Sequence, residues 1–306
     1  MSEHEVNPPS RANVILVATN LQDHPALMIH AISQARTRGA GILLAHVVPE
    51  DRLRPGSPAP LVWEAQNALD DTVRRMHWQG IACESVVLSG HPAEQLGALA
   101  AARHVDSVIV AVRSAGGPGK SLSRSVAEDL ILTVEVPVFV IGRQVAAAPG
   151  GKPHCGRILL PISLRRDRTA SLDFARGLAG QTQSRLALLH VLDTGGMSGR
   201  ERERAFDHAR LQLASVAAKE TGLAAPIEIL VREGAVARTI VEEAICPLRD
   251  FIVLRSSSLS RESLFRDSIV HQVIDDARCP VITFRPPANG HRSTQELPEL
   301  RTVFGA

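Results

Sequence analysis

The sequence contains no tyrosine, and aromatic residues make up only 3% of it. Proteins that hold single-stranded nucleic acid stack its bases on aromatic side chains, so no base-stacking platform is expected. Charge of one sign is lacking too: 34 Lys and Arg against 32 Asp and Glu leave a net charge of +2. That balance offers no electrostatic attraction for a phosphate backbone or an anionic membrane surface. Neither nucleic acid nor membrane is therefore expected as a partner. No apolar run reaches the roughly 18 residues that a bilayer span requires. The opening stretch MSEHEVNPPSRAN lacks the basic-then-apolar pattern of a secretory leader. The four cysteines, Cys83, Cys155, Cys246 and Cys279, stand far apart and form no CxxC pair. Such usage suits reduced thiols rather than a disulfide framework, and a cytoplasmic location is expected.

What is present is 306 residues, 44% of them hydrophobic, enough chain for two well-packed domains. An internal repeat divides it. Ile15-Leu16-Val17 is answered by Ile158-Leu159-Leu160, and His46-Val47 by His190-Val191. Gly90 is answered by Gly234, Asp106 by Asp250, Ser125 by Ser268, and Pro137-Val138 by Pro280-Val281. All of these pairs lie 143 or 144 positions apart. The expected boundaries are 11–143 for the first domain, 144–156 for an Ala/Gly/Pro-rich linker and 157–286 for the second domain. Residues 287–306 have little periodicity and are expected to form a disordered tail.

Within the first repeat, NVILVAT at 13–19 is a continuous apolar run that suits a strand buried on both faces. A helix is expected from Pro25 to Arg38, stopped by Gly39, then a strand over 42–48. Val62, Ala65, Leu69, Val73 and Met76 recur at helical spacing, and Gly80 ends that helix. A strand over 84–88, a turn at Gly90 and a helix opened by Pro92 follow. A strand over 107–112, a Gly/Ser-rich turn, a helix from Ser125 and a strand over 138–141 complete the unit. The second repeat predicts strands near 157–162, 185–192, 226–231, 251–255 and 281–284. Its helices are predicted near 168–180, 200–221, 235–247 and 264–277. Alternating strands and helices give an α/β fold with a parallel sheet and right-handed crossovers. Ligands of such sheets sit at the carboxyl ends of the strands. The turn RSAGGPGKSLSRS, residues 113–125, is therefore the first place to look: glycine-rich backbone at a helix N-terminus can face phosphate.

The motifs resemble the universal stress protein family, as a tandem pair. The resemblance rests on ILVAT (15–19) with ILLPI (158–162), and on LLAHVV (43–48) with LLHVL (188–192). It also rests on SGHPAEQLGALA (89–100) with REGAVARTIVEEA (232–244). SRSVAEDLILTVEVPVFVI (123–141) with RDSIVHQVIDDARCPVITF (266–284) completes it. The resemblance implies two Rossmann-like three-layer domains, each with a five-stranded parallel sheet in the order 3-2-1-4-5. It further implies that the two domains pair with each other through their fifth strands. Any homodimer would then use another face.

Some members of the family bind ATP. They resemble one another in a spacing of Gly, two residues, Gly, nine residues, Gly, then Ser or Thr, and in an Asp just after strand one. Glycine serves there because backbone without a Cβ can approach phosphate oxygens. Anchored on Ser125, the spacing falls on Ala111, Ser114 and Arg124, and Asn20 stands at the Asp position. In the second repeat it falls on Leu254, Ser257 and Asp267, followed by Ser268, with Ser163 at the Asp position. Every glycine of the pattern is replaced. The first repeat still offers Gly116, Gly117, Gly119 and Lys120, with Arg113 beside them. Its candidate nucleotide site is thus Asn20, Arg113, Ser114, Gly116, Gly117, Gly119, Lys120 and Ser125, for ATP or AMP.

Other constellations give bland readings. SAGGPGKS (114–121) differs from a P-loop by Ser114 in place of the first glycine, but it follows strand four and has no magnesium-holding partner. His46 and His190, at equivalent places in strand two, are expected to cap the sheet end by hydrogen bonding. His154-Cys155 offers two ligands, too few for a zinc site. Ser256, Ser257, Ser258 and Ser260 have no His/Asp partnership and read as a polar loop. The expectation is a non-enzymatic stress-response protein with degenerate nucleotide sites that acts by binding partners or small molecules. The alternatives are an ATP/AMP sensor using the first turn and a slow ATPase.

Overall fold

The computed structural model describes residues 13–22, 25–50, 59–112, 125–147, 156–164, 168–219, 223, 225–244, 250–256 and 268–286. The first repeat runs β1 (Val14–Ala18), α1 (Ala26–Arg38), β2 (Gly41–Val48), α2 (Ala59–Trp78), β3 (Cys83–Ser89), α3 (Pro92–Ala102), β4 (Ser107–Ala111), α4 (Val126–Thr133) and β5 (Val138–Ile141). The second runs β6 (Arg157–Pro161), α5 (Thr169–Thr182), β7 (Arg185–Leu192), α6 (Gly199–Ala217), β8 (Glu228–Glu233), α7 (Val236–Glu243), β9 (Asp250–Arg255), α8 (Ile269–Asp276) and β10 (Val281–Phe284).

Strand alternation sorts the apolar run of β1 onto two faces. Ile15 and Val17 pack with Leu27 and Ala31 of α1 and Leu69 of α2. Leu16 and Ala18 pack with Leu96 of α3 and Leu130 of α4 on the opposite face. Helices therefore cover both sides of the sheet, and each core cluster holds residues of both repeats. Gly39 stops α1 in the left-handed conformation, φ 59°, with its N–H on Ala35 O. The polar end of the sheet is tied by Asp106, whose Oδ2 accepts from Val14 N at 2.6 Å. Beside it Arg38 Nη1 donates to the buried Ser107 Oγ at 2.9 Å. Burial pushes the Arg38 pKa down, and the charge of Asp106 partly offsets this.

The ten strands form one sheet in the order β3-β2-β1-β4-β5-β10-β9-β6-β7-β8. Each half is parallel and has the order 3-2-1-4-5 counted within its own repeat. The halves meet where β5 and β10 pair antiparallel, with Val140 opposite Val281, Phe139 opposite Ile282 and Val138 opposite Thr283. Two five-stranded sheets are thus continuous with each other.

Helix ends differ from expectation in the second repeat. Helix α6 ends at Ala217 rather than 221, and α7 ends at Glu243 rather than 247, where Ala244 leaves helical geometry at ψ 57°. Helix α8 starts at Ile269, not 264, because Ser268 is its cap: Ser268 Oγ accepts from His271 N at 3.1 Å. Apolar periodicity alone ran past these ends. The expected tail (287–306) and most of the expected linker lie outside the described residues. Among the described residues no helix is long and apolar enough to cross a membrane.

Candidate nucleotide site

The carboxyl ends of β1, β2 and β4 lie side by side, since Ala18 pairs with both Ala45 and Val110. The chain leaving β1 turns sharply. Thr19 Oγ1 accepts from Leu21 N at 3.0 Å and Asn20 Oδ1 accepts from Gln22 N at 2.8 Å. Leu21 adopts φ 68°, a left-handed conformation that these short side-chain bonds hold in place. The Asn20 carbonyl therefore bonds its own turn.

His46 anchors the same edge. Its Nδ1 lies 2.8 Å from Thr19 O, while Thr19 N donates to Ala45 O. The second repeat reproduces the contact: His190 Nδ1 lies 2.9 Å from Ile162 O, and Ile162 N donates to Leu189 O. Both histidines lock the end of the first strand of their repeat to the second, as their duplicated positions suggested.

Ser125 lies at the N-cap of α4. Ser125 Oγ accepts from Glu128 N at 3.3 Å, and Ser125 N donates to Glu128 Oε2 at 2.9 Å. This is a capping box, in which two of the N–H groups at the helix start are satisfied by the helix's own side chains. A carboxylate thus accepts from one N–H group at the helix N-terminus, the end of the helix dipole that favours negative charge. The same box opens α6, where the Ser198 backbone N–H holds the Glu201 carboxyl below its ordinary pKa. Glu128 has a further partner: its Oε1 lies 3.3 Å from His271 Nδ1, across the line where the repeats meet.

The second repeat offers less. Leu254 is buried at the site's edge with 6% exposure. Ser256 is buried, and its hydroxyl and N–H both donate to Phe284 O, at 3.0 and 2.9 Å. It works as a strand tie between β9 and β10. Ser268 Oγ is engaged by the α8 cap. Ser163 stands exposed after β6.

Of the sequence-derived site, Asn20 and Ser125 fall within the described residues. Arg113, Ser114, Gly116, Gly117, Gly119 and Lys120 lie outside them, as do Ser257, Ser258, Ser260 and Asp267, and the pair His154-Cys155. The residue that the sequence reading missed is Glu128. Its signal was available, since Ser125-x-x-Glu128 is the capping-box spacing. Among the described residues no group of three or more His, Cys, Asp or Glu could hold a metal ion.

The sequence model of the universal stress protein family matches residues 12–142 and again 155–285. No curated protein matches the chain. A universal stress protein from Archaeoglobus fulgidus DSM 4304 superposes with a TM-score of 0.66 at 16% identity, over 89% of this chain and 96% of its own. A functionally unknown protein from Pseudomonas aeruginosa PAO1 superposes with a TM-score of 0.64 at 15% identity, over 90% of this chain and 93% of its own. The Archaeoglobus fulgidus universal stress protein in complex with dAMP is 24% identical, covers 42% of this chain and 97% of its own, and has a TM-score of 0.35.

Proposed function

Because the chain belongs to the universal stress protein family, with two tandem matches to its domain, we propose that it is a non-enzymatic stress-response protein whose nucleotide sites are degenerate. It acts by binding partners or small molecules. The observation that carries this reading is the capping box at α4. The Glu128 carboxylate accepts from Ser125 N, one of the N–H groups that a phosphate at this helix could use. Two unit charges about 4 Å apart repel by about 4 kcal/mol at an effective dielectric of about 20, so a phosphate that came this near Glu128 would be disfavoured. The replacement of each expected glycine, at Ala111, Ser114 and Arg124 and again at Leu254, Ser257 and Asp267, supports the same conclusion.

Isothermal titration of the full chain with ATP and with AMP tests the proposal. No heat of binding is expected up to millimolar nucleotide, and micromolar affinity for either would overturn it. A second reading, an ATP or AMP sensor confined to the first repeat, is favoured by one arrangement. The pairing of β1 with β4 puts Asn20 at the same sheet edge as the strand that leads into Gly116, Gly117, Gly119 and Lys120. Thermal-shift measurements with ATP and magnesium on the wild type and Gly117→Glu separate the two. Stabilisation of the wild type alone would establish the sensor.

A further inference from the structure

The two repeats face each other around a local two-fold axis. Positions 143 apart are equivalent, so Val138 matches Val281, Phe139 matches Ile282 and Val140 matches Thr283. In the observed register Phe139 lies opposite Ile282, its own equivalent, and the flanking pairs are exchanged symmetrically about it. Two identical halves would place identical residues around this axis. Here the residues around it are complementary instead.

Glu128 of α4 and His271 of α8 are equivalent positions, each third in its helix. They meet across the axis, with Glu128 Oε1 3.3 Å from His271 Nδ1. Their side chains are 12% and 21% exposed, so the contact is largely shielded from solvent. His271 Nε2 lies 3.2 Å from Asp275 Oδ2 one turn further on. A second pair of equivalent positions is Gly142 and Arg285. The Arg285 guanidinium donates to Leu132 O near the end of α4 at 2.5 Å. Gly142 sits against the matching end of α8, where a Cβ would stand only 2.5 Å from Ile274 O.

We propose that this seam is an interaction surface selective for the unlike half: the α4–β5 face fits the α8–β10 face, and neither fits a second copy of itself. Two first halves would bring Glu128 carboxylates together without a donor and would leave both Leu132 carbonyls without a guanidinium. Two second halves would oppose histidines and would put Arg285 where only a glycine fits. Both mismatches act through repulsion or steric exclusion, the devices by which interfaces reject wrong partners. The surface therefore selects pairing within the chain over pairing of like halves between chains.

The test uses the full chain and hydrogen exchange of the β5 and β10 amides. His271→Glu reproduces the contact of two first halves. His271→Gln removes the imidazole without adding charge. Glu128→His with His271→Glu exchanges the two residues across the axis. The glutamate introduced on α8 would lie one turn from Asp275 in both the single and the exchanged variant, so that repulsion cancels between them. Protection is expected to fall about tenfold in His271→Glu, to stay within about threefold of wild type in His271→Gln, and to recover to that level in the exchanged chain. If His271→Glu fails to fold, refolding by the exchange supports the proposal. Wild-type protection in His271→Glu overturns it, and so does an exchanged chain no better protected or folded than the single variant.

Discussion

Gly142 offers the sharpest test of how closely the two halves approach. Its φ is not among the left-handed values, so the position needs glycine for room rather than for conformation. An alanine Cβ would stand 2.5 Å from Ile274 O and 3.6 Å from Ala277 O, both backbone atoms that no rotamer change can move aside. Reaching even a tight contact of 3.0 Å requires β5 and α8 to separate by about half an ångström. Overpacking of this kind costs about 1–3 kcal/mol. With an unfolding entropy of about 2.1 cal/mol/K per residue, that cost lowers the melting temperature of a chain this long by about 2–5 °C. The matched control is Gly180→Ala. Gly180 is exposed on α5 with nothing within 4 Å of a new Cβ. There alanine should stabilise by about 0.5–1 kcal/mol through helix propensity. One substitution type thus predicts opposite signs at two places, read by calorimetry on the same day's preparations. If Gly142→Ala melts at or above the wild type while Gly180→Ala behaves as stated, the close approach of the halves is wrong.

Two further predictions concern single repeats. Gly90 and Gly234 are equivalent, with φ 129° and 131°, and a Cβ would meet the Gln95 side chain at 3.1 Å or Thr239 Oγ1 at 3.2 Å. Each Gly→Ala change should cost about 1–3 kcal/mol in urea unfolding, and similar losses at both would show that the duplicated turn is held in the same conformation. Cys83 is buried, and desolvation together with the neighbouring Glu84 charge pushes its thiol from 9.0 to about 11. It should resist alkylation in the native chain at pH 8. Between pH 9 and 11 the folded chain holds a proton that the unfolded chain has lost, so stability should fall as pH rises through that window. Cys83→Ala should flatten that part of the pH profile, and an unchanged slope would count against the shift.

Much of the architecture was legible because it depends on local chemistry. The run at 15–18 suits a strand buried on both faces, Gly39 suits a helix stop, and one offset of 143–144 marks the duplication. The histidine ties were also visible, since both copies kept the residue at the same strand position. The candidate site was less legible. In the sequence Ser125 closes a phosphate-binding pattern, while with Glu128 three residues on it equally spells a capping box, and the spacing alone does not choose between them. The partner that makes Glu128 notable, His271, is distant in sequence and comes near only when β5 and β10 pair. The same holds for Gly142, whose neighbour Ile274 belongs to the other repeat. Local pattern cannot report a contact that exists only after two halves have met.

The antiparallel joint between β5 and β10 also changes what either half can tolerate. The halves are tethered through the segment between Ile141 and Arg157, so each sees the other at an effective concentration on the order of millimolar, whatever the abundance of the chain. Assembly no longer depends on dilution, and a substitution on one side of the joint is not mirrored on the other, as it would be in a dimer of identical chains. One half can therefore lose an ancestral chemistry, or adopt a new surface, while its neighbour keeps the shared core intact.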